Sequence, residues 1–219
     1  MKKLIIGSLL TAVAVFGLSA AEPIGIDLGL DIGIYGFESD IGVALDPSIT
    51  YNRTVAGIDA SVTLDYAFPI YEEYVDGVIG LELYGSKSFA LSDTLNLVPG
   101  LTIAYAYDTN AEDDESSFGI EPEATLEFGN YYALLSLPQA FVPDSATDIY
   151  LELGAGFGEL SAYVSGDYAI APDAQLASIG FGVEYPFGAW TFGADGELSG
   201  FGDEEDVVYG QTLSVTYSF

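Results

Sequence analysis

The chain has 219 residues, half of them hydrophobic, yet it carries 34 acids against 4 bases and contains no His and no Cys. That balance excludes nucleic acid as a partner, because binding phosphates needs Lys and Arg. It also excludes a disulfide framework and any catalytic centre built on His or Cys. The length suits one domain of ordinary size, and a polyanion of this kind favours cations.

The chain opens with Met1-Lys2-Lys3, an apolar run over 4–18 and the small residues Ser19-Ala20-Ala21. This order of charge, grease and small residues predicts a secretory signal peptide over 1–21, cut after Ala20 or Ala21, rather than a retained anchor helix. Every acid follows it, so the processed chain 22–219 sets 34 acids against only Arg53 and Lys87, a formal charge of −32. No later stretch approaches the ~18 apolar residues of a spanning helix, whereas a spanning strand needs only about 9–11 residues.

The next stretch, IGIDLGLDIGIY over 24–35, puts Ile and Leu on one parity and Gly and Asp on the other. Strict alternation predicts a β-strand with one apolar and one polar face. Similar patterns follow at 41–51, 58–68, 79–84, 95–107, 118–128, 149–157, 177–185, 190–198 and 209–219. Two weaker segments, 131–137 and 160–168, bring the candidates to twelve; the first is apolar on both parities and has no obvious register. Pro47, Pro99 and Pro122 fall inside these strands and are expected at bulges or strand ends. Tight turns are predicted at 52–54, 92–94, 129–130, 157–158 and 186–189, where Gly, Asn, Asp or Pro collect. Longer polar links at 37–40, 69–75, 108–117, 138–146, 167–174 and 199–206 alternate with them. An up-and-down meander whose two ends differ gives this order.

With the signal peptide, the hairpins and the terminal stretch TLSVTYSF in view, the chain resembles a bacterial outer-membrane β-barrel, porin-like, with no particular subfamily indicated. The resemblance implies an all-β, closed antiparallel up-and-down transmembrane barrel. Twelve strands are expected; ten and eight are the alternatives, ten following if 131–137 and 160–168 do not pair. It implies localisation in the outer membrane, with the lipid bilayer, the barrel-assembly machinery and periplasmic chaperones as partners. Phe219, with Tyr217, Val215 and Leu213 on its face, matches the family's assembly signal. Aromatic residues near strand ends, among them Tyr51, Tyr66, Phe68, Phe128, Tyr185 and Trp190, fit two interfacial girdles. A soluble lipocalin-like barrel would instead turn the apolar parity inward.

If the apolar parity meets lipid, the other parity lines the lumen. It carries Asp27, Asp31, Asp46, Asp59, Asp65, Glu82, Glu121, Glu123, Glu127, Glu152, Glu184, Asp195 and Glu197 and no base; Arg53 is assigned to a periplasmic turn and Lys87 to the outward parity. Unpaired carboxylates in a packed eight-stranded core would each cost several kcal/mol, so a wider, hydrated lumen is expected. Counting along strands puts Asp31, Asp46, Glu82, Glu123, Glu152 and Asp195 near mid-barrel. Acid rings favour cations, and the expected function is a small cation-preferring diffusion pore for cationic or neutral solutes. The alternative is a structural or adhesive surface barrel without transport. Enzyme activity is not expected, since acids such as Glu121 and Glu123 lack a nucleophile–base partner. No cofactor or metal site is expected either: the acidic runs 112–115 and 203–206 read as solvated loop charge, and the segment from Asp108 departs from the calcium-loop pattern at Asp113 and Gly119. The sequon Asn52-Arg53-Thr54 and the glycines of 154–158 carry no function.

Overall fold

The computed structural model describes residues 25–37, 40–71, 77–108, 116–142, 145–171, 175–201 and 208–219. The signal segment and the acidic runs 112–115 and 203–206 lie outside these. The strands are β1 (Gly25–Phe37), β2 (Asp40–Val55), β3 (Ile58–Tyr71), β4 (Val78–Ser86), β5 (Phe89–Ser92), β6 (Leu95–Asp108) and β7 (Ser116–Phe128). They continue as β8 (Tyr131–Ser136), β9 (Gln139–Val142), β10 (Ala146–Phe157), β11 (Leu160–Ala171), β12 (Gln175–Phe187), β13 (Trp190–Ser199) and β14 (Val208–Ser218).

Apart from β4 with β5 and β8 with β9, each strand pairs antiparallel with the next in sequence, and β1 pairs with β14 from Asp27–Ser218 to Gly36–Tyr209, which closes the sheet. Fourteen strands make twelve staves, because two staves are interrupted. β4 and β5 run in one register against β6, and the break falls where Lys87 N–H meets the carbonyl of Pro99. Pro99 has no N–H to return the bond. β8 and β9 likewise share one register against β7 and β10, and their break falls at Leu137-Pro138. There Leu137 N–H bonds to Pro122 and Asp148 N–H bonds to Pro138. The twelve-strand expectation therefore holds, and ten and eight do not.

The prolines correct one expectation. Pro47, Pro99 and Pro122 sit inside strands in unshifted register with Leu30, Ala124 and Leu101, and the register shifts lie elsewhere, such as between Val43 and Ala44 or Asp167 and Tyr168.

All five turns at one end have two residues. Gly129, Gly158 and Gly188 take the first place with positive φ, as a type II′ turn requires. Asp93-Thr94 forms a fourth. The fifth, Ala56-Gly57, has φ of 54° and 75°, the type I′ pattern that matches the twist of flanking strands. This turn lies later than the predicted 52–54, and Arg53 belongs to β2 rather than to a turn. Turn propensity at Asn52 loses to the pairing of Asn52 with Ser61 and of Thr54 with Asp59.

Among the described residues Ala44 is the one buried hydrophobic residue. Leu64, Leu153, Val164, Phe181 and Leu213 are each about half exposed, and all stand on the outward parity. The described residues form no internal apolar core.

Ala56 holds a conformation that costs an L-residue roughly 1–2 kcal/mol and glycine almost nothing. Ala56→Gly is expected to stabilise the barrel by about 1 kcal/mol, seen as a higher urea midpoint for unfolding from detergent or lipid; Ala56→Val is expected to lower that midpoint.

Candidate functional site

Residues directly opposite one another in a sheet share a face, so the registers assign the acids of the described strands to a side. Asp31 faces Asp46 on β2 and Ser214 on β14; Asp65 faces Ser48 and Gly80. Glu82 lies opposite Thr63 and Ala104, Glu121 opposite Thr102, and Glu123 opposite Gly100 and Ser136. Asp195 lies opposite Gly182 and Thr212, Glu197 opposite Gly180, and Glu184 opposite Ser161 and Gly193. Asp27, Asp59, Glu127 and Glu152 follow the same parity, through Thr50, Ser86, Asn96 and Ser165. The ambiguous segment 131–137 now has a register. Tyr132, Leu134 and Ser136 take the inner side, and Tyr131 and Leu135 the outer.

Two further acids join the inner parity. Asp167 falls where the predicted strand 160–168 meets the predicted link 167–174; β11 runs on to Ala171 and pairs Asp167 with Tyr150 and Ser178. Asp148 lies one residue before the predicted strand 149–157 and keeps the register of Tyr150 and Glu152, the shift falling between Thr147 and Asp148. Arg53 and Lys87 fall on the outward parity by register. Arg53 is buried, and Lys87 Nζ lies 5.6 Å from the centre of the Phe89 ring.

Strand tilt brings some acids closer than counting along strands suggests. Asp31 lies within electrostatic range of Asp195 and Asp65, and Asp46 within range of Asp65 and Asp31. Glu82 is near Asp65, Glu121 and Glu123, while Asp167 is near Asp148, Glu197 and Glu121. Asp65 and Glu121, which counting along strands does not put near mid-barrel, therefore belong to the same belt as the mid-barrel acids. A recess of about 420 Å³ lies against the wall made by β4, β6, β7 and β9, where Gly80, Ala104, Ala106 and Gly119 leave space beside Asp65, Glu82, Glu121 and Asp148.

On the other wall, carboxylates are held by phenols. Tyr132 Oη donates to Glu152 Oε1 at 2.6 Å, Tyr150 Oη donates to Glu152 Oε2, and Tyr163 Oη donates to Asp195 Oδ1. Tyr84 Oη donates to Glu123 Oε1 at 2.8 Å across β6. One cross-strand row explains the pattern: Glu127, Tyr132, Gly154, Tyr163, Gly182 and Asp195 stand side by side on successive staves. The Tyr132 ring occupies the space a Cβ at Gly154 would fill, and the Tyr163 ring does the same at Gly182. Glycine is needed at these two positions because a ring lies across the backbone. The alternation gives no sign of the phenol bonds, which join residues as far apart as 84 and 123.

Nearer the turns, Asn52 Nδ2 donates to Asp27 Oδ2, Thr54 Oγ1 to Asp59 Oδ1 at 2.6 Å and Asn96 Nδ2 to Glu127 Oε2 at 3.2 Å. Outside, the turn end carries a band of exposed rings: Phe128, Tyr131, Phe157, Phe187, Trp190 and Phe219. Tyr217 packs against both Trp190 and Phe219 with ring centres 4.7 Å apart in each pair. Phe219 N–H bonds to the carbonyl of Ile26, and Ser218 N–H to that of Ala189. At the loop end Tyr66 stacks with Phe68, and Phe118 packs on Phe141.

This geometry, a closed meander with apolar residues outside and polar residues within, can be set against known structures. The fold is that of an outer-membrane β-barrel. The chain is similar to the KdgM porin, with a TM-score of 0.60 and 12% identity over 87% of this chain and 99% of that one. It is also similar to the outer membrane phospholipase A of Escherichia coli, with a TM-score of 0.61 and 11% identity over 87% and 92%. A second structure of the KdgM porin, in complex with disordered oligogalacturonate, aligns with a TM-score of 0.59 at 12% identity. No protein-family model matches the sequence, and no curated protein matches it.

The ring-over-glycine contacts make a direct prediction. Gly154→Ala and Gly182→Ala are each expected to cost about 1–3 kcal/mol through overpacking, measured as a lower urea midpoint. Gly156→Ala, whose Cβ would meet only the Asn130 carbonyl at 3.8 Å, is expected to be close to neutral.

Proposed function

We propose that this barrel resides in the bacterial outer membrane and acts as a small, water-filled diffusion pore that prefers cations. One observation carries the reading: the large apolar side chains are exposed outward, and the described residues enclose no apolar core. In water such a surface would be costly, at about 25 cal/mol for each Å² left exposed. Against acyl chains it costs nothing, and the pairing of β1 with β14 closes the ladder on itself. The exposed rings at both ends suit the two membrane interfaces.

A barrel whose apolar residues face lipid has only its polar parity to fill the inside. That parity offers Asp31, Asp46, Asp59, Asp65, Glu82, Glu121, Glu123, Glu127, Glu152, Glu184, Asp195 and Glu197, with Asp148 and Asp167, against no base. Residues such as Gly29, Ser48, Thr212 and Ser214 fill little volume. Acids without counter-charge draw in water and cations. The porin described with oligogalacturonate, a polyanion, shares this fold, but such a solute would be repelled here. Small cationic or neutral solutes are the expected cargo. We read the barrel as a non-enzyme, since the phospholipase likeness at 11% identity extends to the fold alone and the sequence has no His to activate a nucleophile. Leu213, Val215, Tyr217 and Phe219 are proposed to present the terminal strand to the assembly machinery and its chaperones.

The test is reconstitution into planar bilayers. Discrete current steps and a reversal potential of cation-preferring sign in a KCl gradient are expected. No current from folded, heat-modifiable protein would favour the structural or adhesive reading, and anion preference would overturn the charge argument. Replacing Asp31, Asp46, Glu82 and Glu152 together by their amides is expected to move the reversal potential toward zero. Asp46→Asn alone is expected to stabilise the barrel by about 0.2–1 kcal/mol, because it removes a like charge set directly opposite Asp31. Phe219→Ala is expected to reduce the amount of barrel inserted into the outer membrane, measured by heat-modifiable migration of membrane fractions, without lowering total synthesis.

A further inference from the structure

Three neighbouring staves, β8, β10 and β11, each project a tyrosine inward, and all three phenols end on carboxylates. The hydroxyls are directed into the wall, toward Glu152 and Asp195. The rings of Tyr132 and Tyr163 lean across Gly154 and Gly182, and all three tyrosines keep part of their surface exposed. Across the lumen β1, β2 and β3 offer carboxylates such as Asp31, Asp46 and Asp65 among small groups such as Gly29 and Ser48. The two walls therefore differ in chemistry: both are anionic, and the first adds tyrosine rings beside its carboxylates.

We propose that this tyrosine arc is a selectivity filter for weakly hydrated organic cations, the ammonium and guanidinium class, over strongly hydrated Mg²⁺. The inference rests on the pore reading and names the solute class that the pore favours. An aromatic face attracts a cation that can shed water, and guanidinium is weakly hydrated. A phenol that donates to a carboxylate gains electron density, which strengthens that attraction. Mg²⁺ dehydrates reluctantly and demands closely set oxygens in octahedral geometry. Glu152 has both oxygens bound by phenols and Asp195 has one, so beside the rings fewer carboxylate oxygens are left to gather round such an ion. Tyr132, Tyr150 and Tyr163 are thus specificity-determining residues, and Gly154 and Gly182 position two of the rings.

Bi-ionic reversal potentials in planar bilayers test this, with guanidinium or methylammonium against K⁺. The wild-type permeability ratio for guanidinium is expected to exceed the ratio of free-solution mobilities by roughly two- to five-fold. The triple variant Tyr132→Leu, Tyr150→Leu, Tyr163→Leu is expected to fall to the mobility ratio while still preferring K⁺ to Cl⁻. The corresponding triple Phe variant, which keeps the faces, is expected to retain a raised ratio and to gain block of K⁺ current by Mg²⁺ as the carboxylates are released. Should the triple Leu variant fail to show heat-modifiable migration, Tyr150→Leu alone serves, since that ring fills no glycine gap; its ratio is expected to drop part of the way. A wild-type ratio equal to the mobility ratio, an unchanged ratio in the Leu variant, or equal loss in the Phe and Leu variants overturns the filter and leaves the pore standing. Absence of current or preference for Cl⁻ in plain KCl overturns the pore reading, and the filter with it.

Discussion

The structure depends on closure of its backbone ladder. A sheet in hydrocarbon has no water to satisfy edge N–H and C=O groups, so the first and last strands must pair. Here that seam runs the length of β1 and β14, and the terminal Phe219 adds one more bond, to Ile26. Once the ring is closed each stave has one side outside and one side inside, and side-chain alternation decides what each side holds. The apolar row goes out because nothing inside could shelter it beside the acids. The prolines obey the same constraint. Pro99 and Pro138 each remove a donor, and the ladder breaks locally at each while the register continues beyond them.

Inside, the described carboxylates are accommodated by geometry. Glycines on one strand make room for the side chain of the next: Asp65 lies over Gly80, Glu123 over Gly100 and Asp195 over Gly182. Tyrosine hydroxyls then satisfy Glu123, Glu152 and Asp195 without cancelling their charge. A hydrogen bond to a carboxylate contributes about half again to twice what a neutral one does, which offsets part of the cost of drawing these groups against the wall. The outer face repeats the device in apolar form, with the Phe181 ring occupying the space above Gly196.

Some features were legible because they depend on nearest neighbours along the chain. The strands beginning at Gly25 and Ile58 alternate so regularly that their faces follow from residue type. Gly129-Asn130 reads directly as a turn. Asp167 is hard to place from sequence because the alternation ends at the register shift that follows it, and a polar residue beside such a break looks like loop. Arg53 was misplaced because Asn52-Arg53-Thr54 has turn chemistry, while the cross-strand partners Ser61, Ala60 and Asp59 hold it in a strand.

The sequence by itself determined the class of fold, the outward row of Ile, Leu and Val and the inner parity of most of the acids, because period-two patterning is a local property of an extended chain. Only the tertiary structure decided which acids are neighbours, which tyrosines reach them and which glycines the rings require. Those relations are set by strand tilt and cross-strand register, and both are fixed only when residues far apart in the chain are brought side by side.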